Sequence, residues 1–191
     1  KHDQAGSASH ERGTEKIREF LKFCWRDKRV REVSIWALAI DNLSRTKGEL
    51  HELWNIYNRE FSSILYDKEI RSNGVKVNII GEEELWLPSI RSLARQVSDS
   101  TKSYSKNILN ILLAYSGRTD IGQMAKRIGK KPLEKMDGLL QVKNSVDLVV
   151  RTGGQQRLSN FMLYQIAYAE IFFEQKLWPD VTQKDFKEWI D

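Results

Sequence analysis

The hydrophobic positions of this chain change period several times along its length. In ERGTEKIREFLKFCWRDK (11–28), Ile17, Phe20, Leu21 and Cys24 recur at i, i+3, i+4 and i+7, which is one face of a helix. VSIWALAI (33–40) is a short apolar run that reads as a buried strand. Over 49–70 the helical period returns, with Leu50, Leu53, Trp54, Tyr57, Phe61, Ile64 and Leu65 on one stripe. VKVNIIG (75–81) is a strand closed by glycine. EEELWLPSIRSLARQV (82–97) is a helix in which Pro88 marks a start or a kink. NILNILLAYSG (107–117) is a third strand, and TDIGQMAKRIG (119–129) a short helix stopped by Gly129. VDLVV (146–150) is a fourth strand. From Leu158 the spacing is again helical, with Ser159 at the N-cap position, and a last strand lies near Ile171–Phe173. The stretch 129–145 is the irregular connection. Strands alternating with helices predict an α/β fold: a mostly parallel sheet with helices on both faces, in a single domain.

In such sheets ligands gather at the carboxyl ends of the strands, and the polar residues of this chain concentrate there. VDLVV runs into RTGGQQRLSNF, which places Arg151, Gly153, Gly154, Arg157 and Ser159 within nine residues. Guanidinium forks match phosphate oxygens, helix N-termini attract anions, and a glycine turn lets backbone N–H groups approach them. The stretch therefore reads as a phosphate or diphosphate site, although a surface arginine pair on an ordinary strand–helix connection has the same signature. A second cluster, AIDNLSRTKGEL, puts Asp41, Asn42, Ser44 and Arg45 after strand 33–40; a loop rich in turn formers is the plainer explanation. In AYSGRTDI, Arg118 and Asp120 are better explained as an ion pair or helix cap. Glu170 lies inside the apolar run IAYAEIFF, and a buried acid needs a partner, a metal or a raised pKa. His10, near a helix start, is unremarkable alone.

Composition narrows the class. With 191 residues, 40% hydrophobic and 30% charged, the chain can bury a sizeable core. The net charge of +5 comes from 31 basic and 26 acidic residues that are interspersed, so a nucleic-acid footprint is not supported and an anionic small molecule suits the balance. The single cysteine, Cys24, excludes an internal disulfide, fits a reducing cytoplasm, and sits on an apolar helix face where packing is its expected role. No apolar run approaches the ~18 residues of a membrane span. The sequence opens at Lys1 and not at a methionine, so a natural start upstream is expected.

Taken together, these clusters resemble the cis-prenyltransferases, the (Z)-prenyl diphosphate synthases that include undecaprenyl diphosphate synthase. The resemblance is carried by Asp147, Arg151, Thr152, Gly153, Gly154, Arg157, Ser159, Asn160, Phe161, Tyr168, Ala169, Glu170, Leu177, Trp178, Pro179 and Asp180, all at the family's spacing. ALAIDNLSR is similar to the family's Tyr-Ala-Phe-Ser-x-Glu-Asn-Trp-x-Arg, with Asn42 and Arg45 matching and Asp41 and Leu43 departing. AYSGRTDI resembles its Asn-Tyr-Gly-Gly-Arg-x-Asp/Glu-Ile turn. His10 and Gly13 match a Gly-His-x-x-Gly element, with Ser9 in place of the first glycine.

The resemblance implies an α/β sheet with an apolar tunnel, a homodimer, and Mg²⁺-dependent condensation of an allylic diphosphate with isopentenyl diphosphate to form a cis double bond. It implies that Arg151, Arg157 and Ser159, with the glycine turn at Gly153 and Gly154, hold isopentenyl diphosphate. Asn42, His10 and Arg45 then lie on the allylic side, with Asn42 and His10 catalytic, and Glu170 helps place the Mg²⁺. A cytoplasmic enzyme, peripheral to the membrane through its lipid product, is expected.

Departures from the family pattern are Gln155 where the family has an acid, Gly6 where it has an arginine, and no Arg-x-Gly tail before Asp191. The family's first strand and Asp-Gly-Asn-x-Arg phosphate loop are expected ahead of Lys1, so residues 1–191 read as the domain without them. Gln155 also raises the alternative of prenyl transfer to an acceptor other than isopentenyl diphosphate. A non-catalytic subunit of a heteromeric enzyme is a further alternative, against which the retained Arg151, Arg157 and Ser159 argue.

Overall fold

A computed structural model describes residues 2–129, 132 and 136–191, with side chains from residue 11 onward except Asp137. In chain order the elements are α1 (His2–Arg26), β1 (Glu32–Ala39), α2 (Lys47–Ile64), α3 (Lys68–Ser72), β2 (Val75–Ile80), α4 (Pro88–Thr101), β3 (Asn107–Tyr115), α5 (Gly117–Ile128), β4 (Leu148–Arg151), β5 (Glu170–Phe173) and α6 (Gln183–Ile190). They form two compact units: Arg31–Lys143, and the chain ends up to Val30 and from Asn144 to Asp191.

The first unit holds a parallel sheet of order β1-β3-β2. The central strand β3 is the most apolar and the most buried, with Leu109, Leu112, Leu113, Ala114 and Tyr115 inaccessible. The predicted stripe on α2 is realised by Leu53, Trp54, Tyr57 and Phe61, and α4 contributes Ile90, Ala94 and Val97. Burial of a Leu, Ile, Val or Phe side chain among these stabilises by about 1.5–3 kcal/mol. Asn110 crosses the middle of the sheet, accepting from Asn78 at 2.8 Å and donating to Glu32 and Ser34 at 2.6 and 3.1 Å. In-register polar residues on three strands penalise a slip of any one of them.

Two irregularities shape the strand ends. Pairing of β1 with β3 skips Ala37 and then Ala114, which lies at φ 48°. The freed carbonyls are claimed, that of Ala37 by the Tyr57 hydroxyl at 2.7 Å and that of Ala114 by the Glu82 N–H at 3.2 Å. Bulges of this kind redirect the chain as it leaves a strand, here into the 3-10 turn at Ile40–Ser44 and into helix α5.

In the second unit β4 and β5 pair in parallel, from Leu148↔Glu170 to Arg151↔Phe173. Phe186, Trp189 and Val181 form its core with Phe20, Phe23 and Trp178. Phe20 meets Phe186 and Trp178 edge-on, at 4.9 and 5.7 Å between ring centroids.

Every strand pair is parallel, as the alternation of periods implies. Several boundaries differ from expectation. The helix expected over 49–70 breaks at 65–67, where the Asp67 carboxylate caps α3 by accepting from the N–H groups of Glu69 and Ile70. The helix expected over 82–97 begins only at Pro88, a good first-turn residue. The helix expected after Gly154 is absent. Ser159, Asn160 and Met162 have φ of 49°, 68° and 37°, outside the right-handed helix, and the segment is a series of turns. Its helix-like spacing reflects the burial of Met162, Gln165 and Ile166, which turns supply equally well. Helix α6 went unpredicted, although the Thr182-x-x-Asp185 capping box announces it.

Candidate active site

Arg151 closes β4 and points into the loop beyond it. Its Nη1 donates to the carbonyl of Arg157 and, at 3.1 Å, to the hydroxyl of Ser159. Arg157, exposed, donates from Nη1 to the side-chain oxygen of Gln155. Among the described residues neither guanidinium is paired with a carboxylate. Burial, and then the charge of Arg157, lower the pKa of Arg151. Guanidinium groups without a carboxylate partner carry donors that match the oxygens of a multiply charged anion.

The glycines act differently from expectation. Gly153 and Gly154 lie at φ 85° and 69°. Their N–H groups do not point at an open anion site, because they donate to the carbonyls of Lys176 and Glu174 at 2.8 and 2.9 Å. The N–H of Glu174 in turn donates to the Arg151 carbonyl at 2.8 Å. The turn thus prolongs the β4–β5 ladder and fixes the base of the loop, leaving anion contact to side chains. A side chain at Gly154 would also strike Gln175, 2.8 Å from an added Cβ. Ser159 is not an N-cap; it is an exposed left-handed residue whose hydroxyl faces Arg151.

Glu170, expected to be a buried acid, is exposed at the start of β5, so burial gives its carboxylate no need of a partner. It pairs in register with Leu148, three positions from Arg151, or roughly 10 Å at the ~3.3 Å rise of a strand. Among the described residues no three His, Cys, Asp or Glu side chains gather as a metal nest.

In the Arg31–Lys143 unit, Asn42 and Arg45 lie in and just beyond the 3-10 turn that ends β1. The Arg45 N–H donates to the Asn42 carbonyl at 3.2 Å, and its guanidinium is 3.9 Å from Glu49. The hydroxyl of Ser44 donates to the Asp41 carbonyl at 2.8 Å. Thr46 and Glu49 form a capping box that starts α2, so this loop is held at both ends.

His10 belongs to α1, but its side chain lies outside the described residues, as does Lys1. Asp120, expected to form an ion pair with Arg118 or to cap a helix, has buried and part-buried partners. It is 1% exposed and accepts from the Tyr115 hydroxyl and the Gln141 N–H, both at 3.0 Å, tying the connection after α5 to the end of β3. Cys24 is buried and its thiol is pushed up to about 12, which makes it a packing residue.

Contacts between α1 and the segment after β5 were not anticipated. The Trp178 indole donates to the Gly13 carbonyl at 3.0 Å, and Arg12 pairs with Asp180 at 3.0 Å. The Leu-Trp-Pro-Asp run and Gly13 were both visible in the sequence, but nothing in spacing joins residues so far apart.

Arg151 thus stands at the carboxyl end of a parallel strand, the place where α/β sheets gather ligands. Residues 1–191 match the model of the family described as "Putative undecaprenyl diphosphate synthase". A tritrans,polycis-undecaprenyl-diphosphate synthase (geranylgeranyl-diphosphate specific) of Pyrococcus horikoshii is 35% identical over 97% of this chain and 75% of its own length. The protein of the same name from Pyrobaculum aerophilum is 37% identical over 93% and 79%. The crystal structure of a "probable undecaprenyl diphosphate synthase" from Campylobacter jejuni superposes with a TM-score of 0.86 at 28% identity, over 94% of this chain and 87% of that one. Lavandulyl diphosphate synthase from Lavandula x intermedia, in complex with dimethylallyl diphosphate, shares the fold with a TM-score of 0.88 at 24% identity, over 96% and 84%. The chain belongs to the undecaprenyl diphosphate synthase family of cis-prenyltransferases.

Proposed function

We propose that this protein condenses an allylic prenyl diphosphate with isopentenyl diphosphate to give a cis-polyprenyl diphosphate, and that it needs Mg²⁺. The observation that carries the reading is the pair of arginines, Arg151 and Arg157, that have no carboxylate partner among the described residues, with Ser159 against Arg151 in the loop after β4. They hold the diphosphate of the isopentenyl unit. Asn42 and Arg45, with His10, serve the allylic diphosphate, whose departure leaves negative charge that guanidinium groups stabilise.

Glu170 supplies one exposed carboxylate. That suits Mg²⁺, which is commonly held by one or two carboxylates together with substrate phosphates, while a lone carboxylate would be a poor site for a metal bound by protein alone. When bound, the ion neutralises the leaving diphosphate. An apolar tunnel takes up the growing chain. Ile171, Phe172 and Phe173 on β5 are all exposed, as are Tyr168 and Leu177, and this apolar surface supports a homodimer. Among the described residues no helix is long and apolar enough to cross a membrane. We place the enzyme in the cytoplasm, held at the membrane by its lipid product.

The test is incubation of the protein with labelled isopentenyl diphosphate, Mg²⁺ and either farnesyl or geranylgeranyl diphosphate. Label is expected in a chain-elongated diphosphate with new cis double bonds, and EDTA is expected to abolish it. Retention of all label in isopentenyl diphosphate with both donors would contradict the proposal.

A further inference from the structure

The loop that carries Arg151 and Arg157 is tied through its base to the segment 174–180. Gly153 donates to the carbonyl of Lys176 and Gly154 to that of Glu174, and a Cβ added at Gly153 would meet the Leu177 side chain at 3.8 Å. Two residues after Lys176 comes Trp178. Its ring is held edge-on by Phe20 of α1 and tilted against Phe186. Its indole N–H, the one polar group it has, donates to the Gly13 carbonyl at 3.0 Å. Inside a helix that carbonyl already serves its own ladder, so the indole uses the second lone pair. Arg12 adds an exposed ion pair to Asp180, an interaction worth little alone. His10 is three residues before Gly13, one helical turn away.

We propose that Trp178 is a positioning residue for the reaction. Its indole fixes α1 against the end of β5, and so fixes His10 of the allylic side relative to the arginine loop of the isopentenyl side. This rests on the reading of the two sides given above. The indole hydrogen bond and the ladder through Gly153 and Gly154 form one continuous set of contacts within a single unit of the fold.

The test uses Trp178→Phe, which keeps an aromatic ring for Phe20 and Phe186 and removes only the N–H, together with His10→Ala and the double variant. Loss of one hydrogen bond corresponds to about a threefold to tenfold effect. Trp178→Phe is expected to raise KM for the allylic diphosphate by that factor, with KM for isopentenyl diphosphate within about twofold. In the His10→Ala background it is expected to add nothing, because it acts through His10. Hydrogen exchange of the full protein is the second readout. Amides around Gly13 should lose protection in Trp178→Phe, while those of β4 and β5 keep theirs. Multiplicative losses in the double variant, or unchanged exchange around Gly13, would overturn the proposal. A wild-type protein without turnover would defeat the functional reading instead, and hydrogen exchange would still decide whether Trp178 holds α1.

Discussion

The guanidinium of Arg151 donates to the hydroxyl of Ser159 at 3.1 Å, closing a loop that contains both glycines and the second arginine. Arg151 therefore has two tasks, because the same side chain also holds the carbonyl of Arg157. Ser159 has the lighter role of orienting that guanidinium. Ser159→Ala is expected to raise KM for isopentenyl diphosphate by about threefold to tenfold, less than the full value of one hydrogen bond to a charged partner, because the guanidinium keeps its bond to the Arg157 carbonyl. Arg151→Ala should also lower the unfolding midpoint, since it releases the loop. Steady-state kinetics beside urea unfolding separate the two effects.

Gly154→Ala should be costly. The position lies at φ 69°, and an added Cβ would sit 2.8 Å from the side-chain oxygen of Gln175. The left-handed conformation alone costs a non-glycine residue about 1–2 kcal/mol. Gln175 is at the flexible end of a side chain and can yield, so the backbone term should remain when Gly154→Ala is combined with Gln175→Ala. Chemical denaturation of the single and double variants checks this.

Asp185 gives a pH dependence with a definite sign. Its carboxylate accepts from Lys176 Nζ at 2.5 Å and from the Thr182 N–H at 2.7 Å. The hydrogen bond from Lys176, then those from Thr182, hold its pKa at about 2, below the ordinary 3.8. The folded state binds this proton less readily than the unfolded chain does. The stabilisation is therefore complete above about pH 4 and is lost as the pH falls towards 2. Asp185→Asn should be less stable than the wild type at pH 6, with the gap narrowing through that window in thermal melts.

Tyr115→Phe removes a donor to a carboxylate, Asp120, that is 1% exposed. A buried acceptor deprived of a partner costs about 1–3 kcal/mol. Unfolding experiments should show that loss, with KM for both substrates within about twofold.

The strands and most helices were legible because burial imposes a period, and α2 buries the stripe its sequence shows. The same signal misled after Gly154, where Met162, Gln165 and Ile166 are buried without a helix and Ser159 and Asn160 occupy left-handed backbone. The gathering of Arg151, Arg157 and Ser159 in one loop was legible because the three lie within nine residues of one another. The use of the Gly153 and Gly154 N–H groups was not, since their acceptors, Lys176 and Glu174, lie on the far side of a twenty-residue excursion. Neither was the exposure of Glu170, because an acid in an apolar run looks the same on an open strand as in a core.

The central claim is that the arginine loop binds the isopentenyl diphosphate. Arg157 is exposed and donates only to Gln155 among the described contacts, so its removal should leave the fold intact. The decisive measurement is KM for isopentenyl diphosphate in Arg157→Ala, with KM for the allylic diphosphate measured alongside. Loss of charge-assisted hydrogen bonds of about 1.5–3 kcal/mol predicts a rise of about tenfold to a hundredfold for isopentenyl diphosphate, and a change within about twofold for the allylic substrate. Wild-type values for both substrates, or a rise confined to the allylic one, would contradict the account.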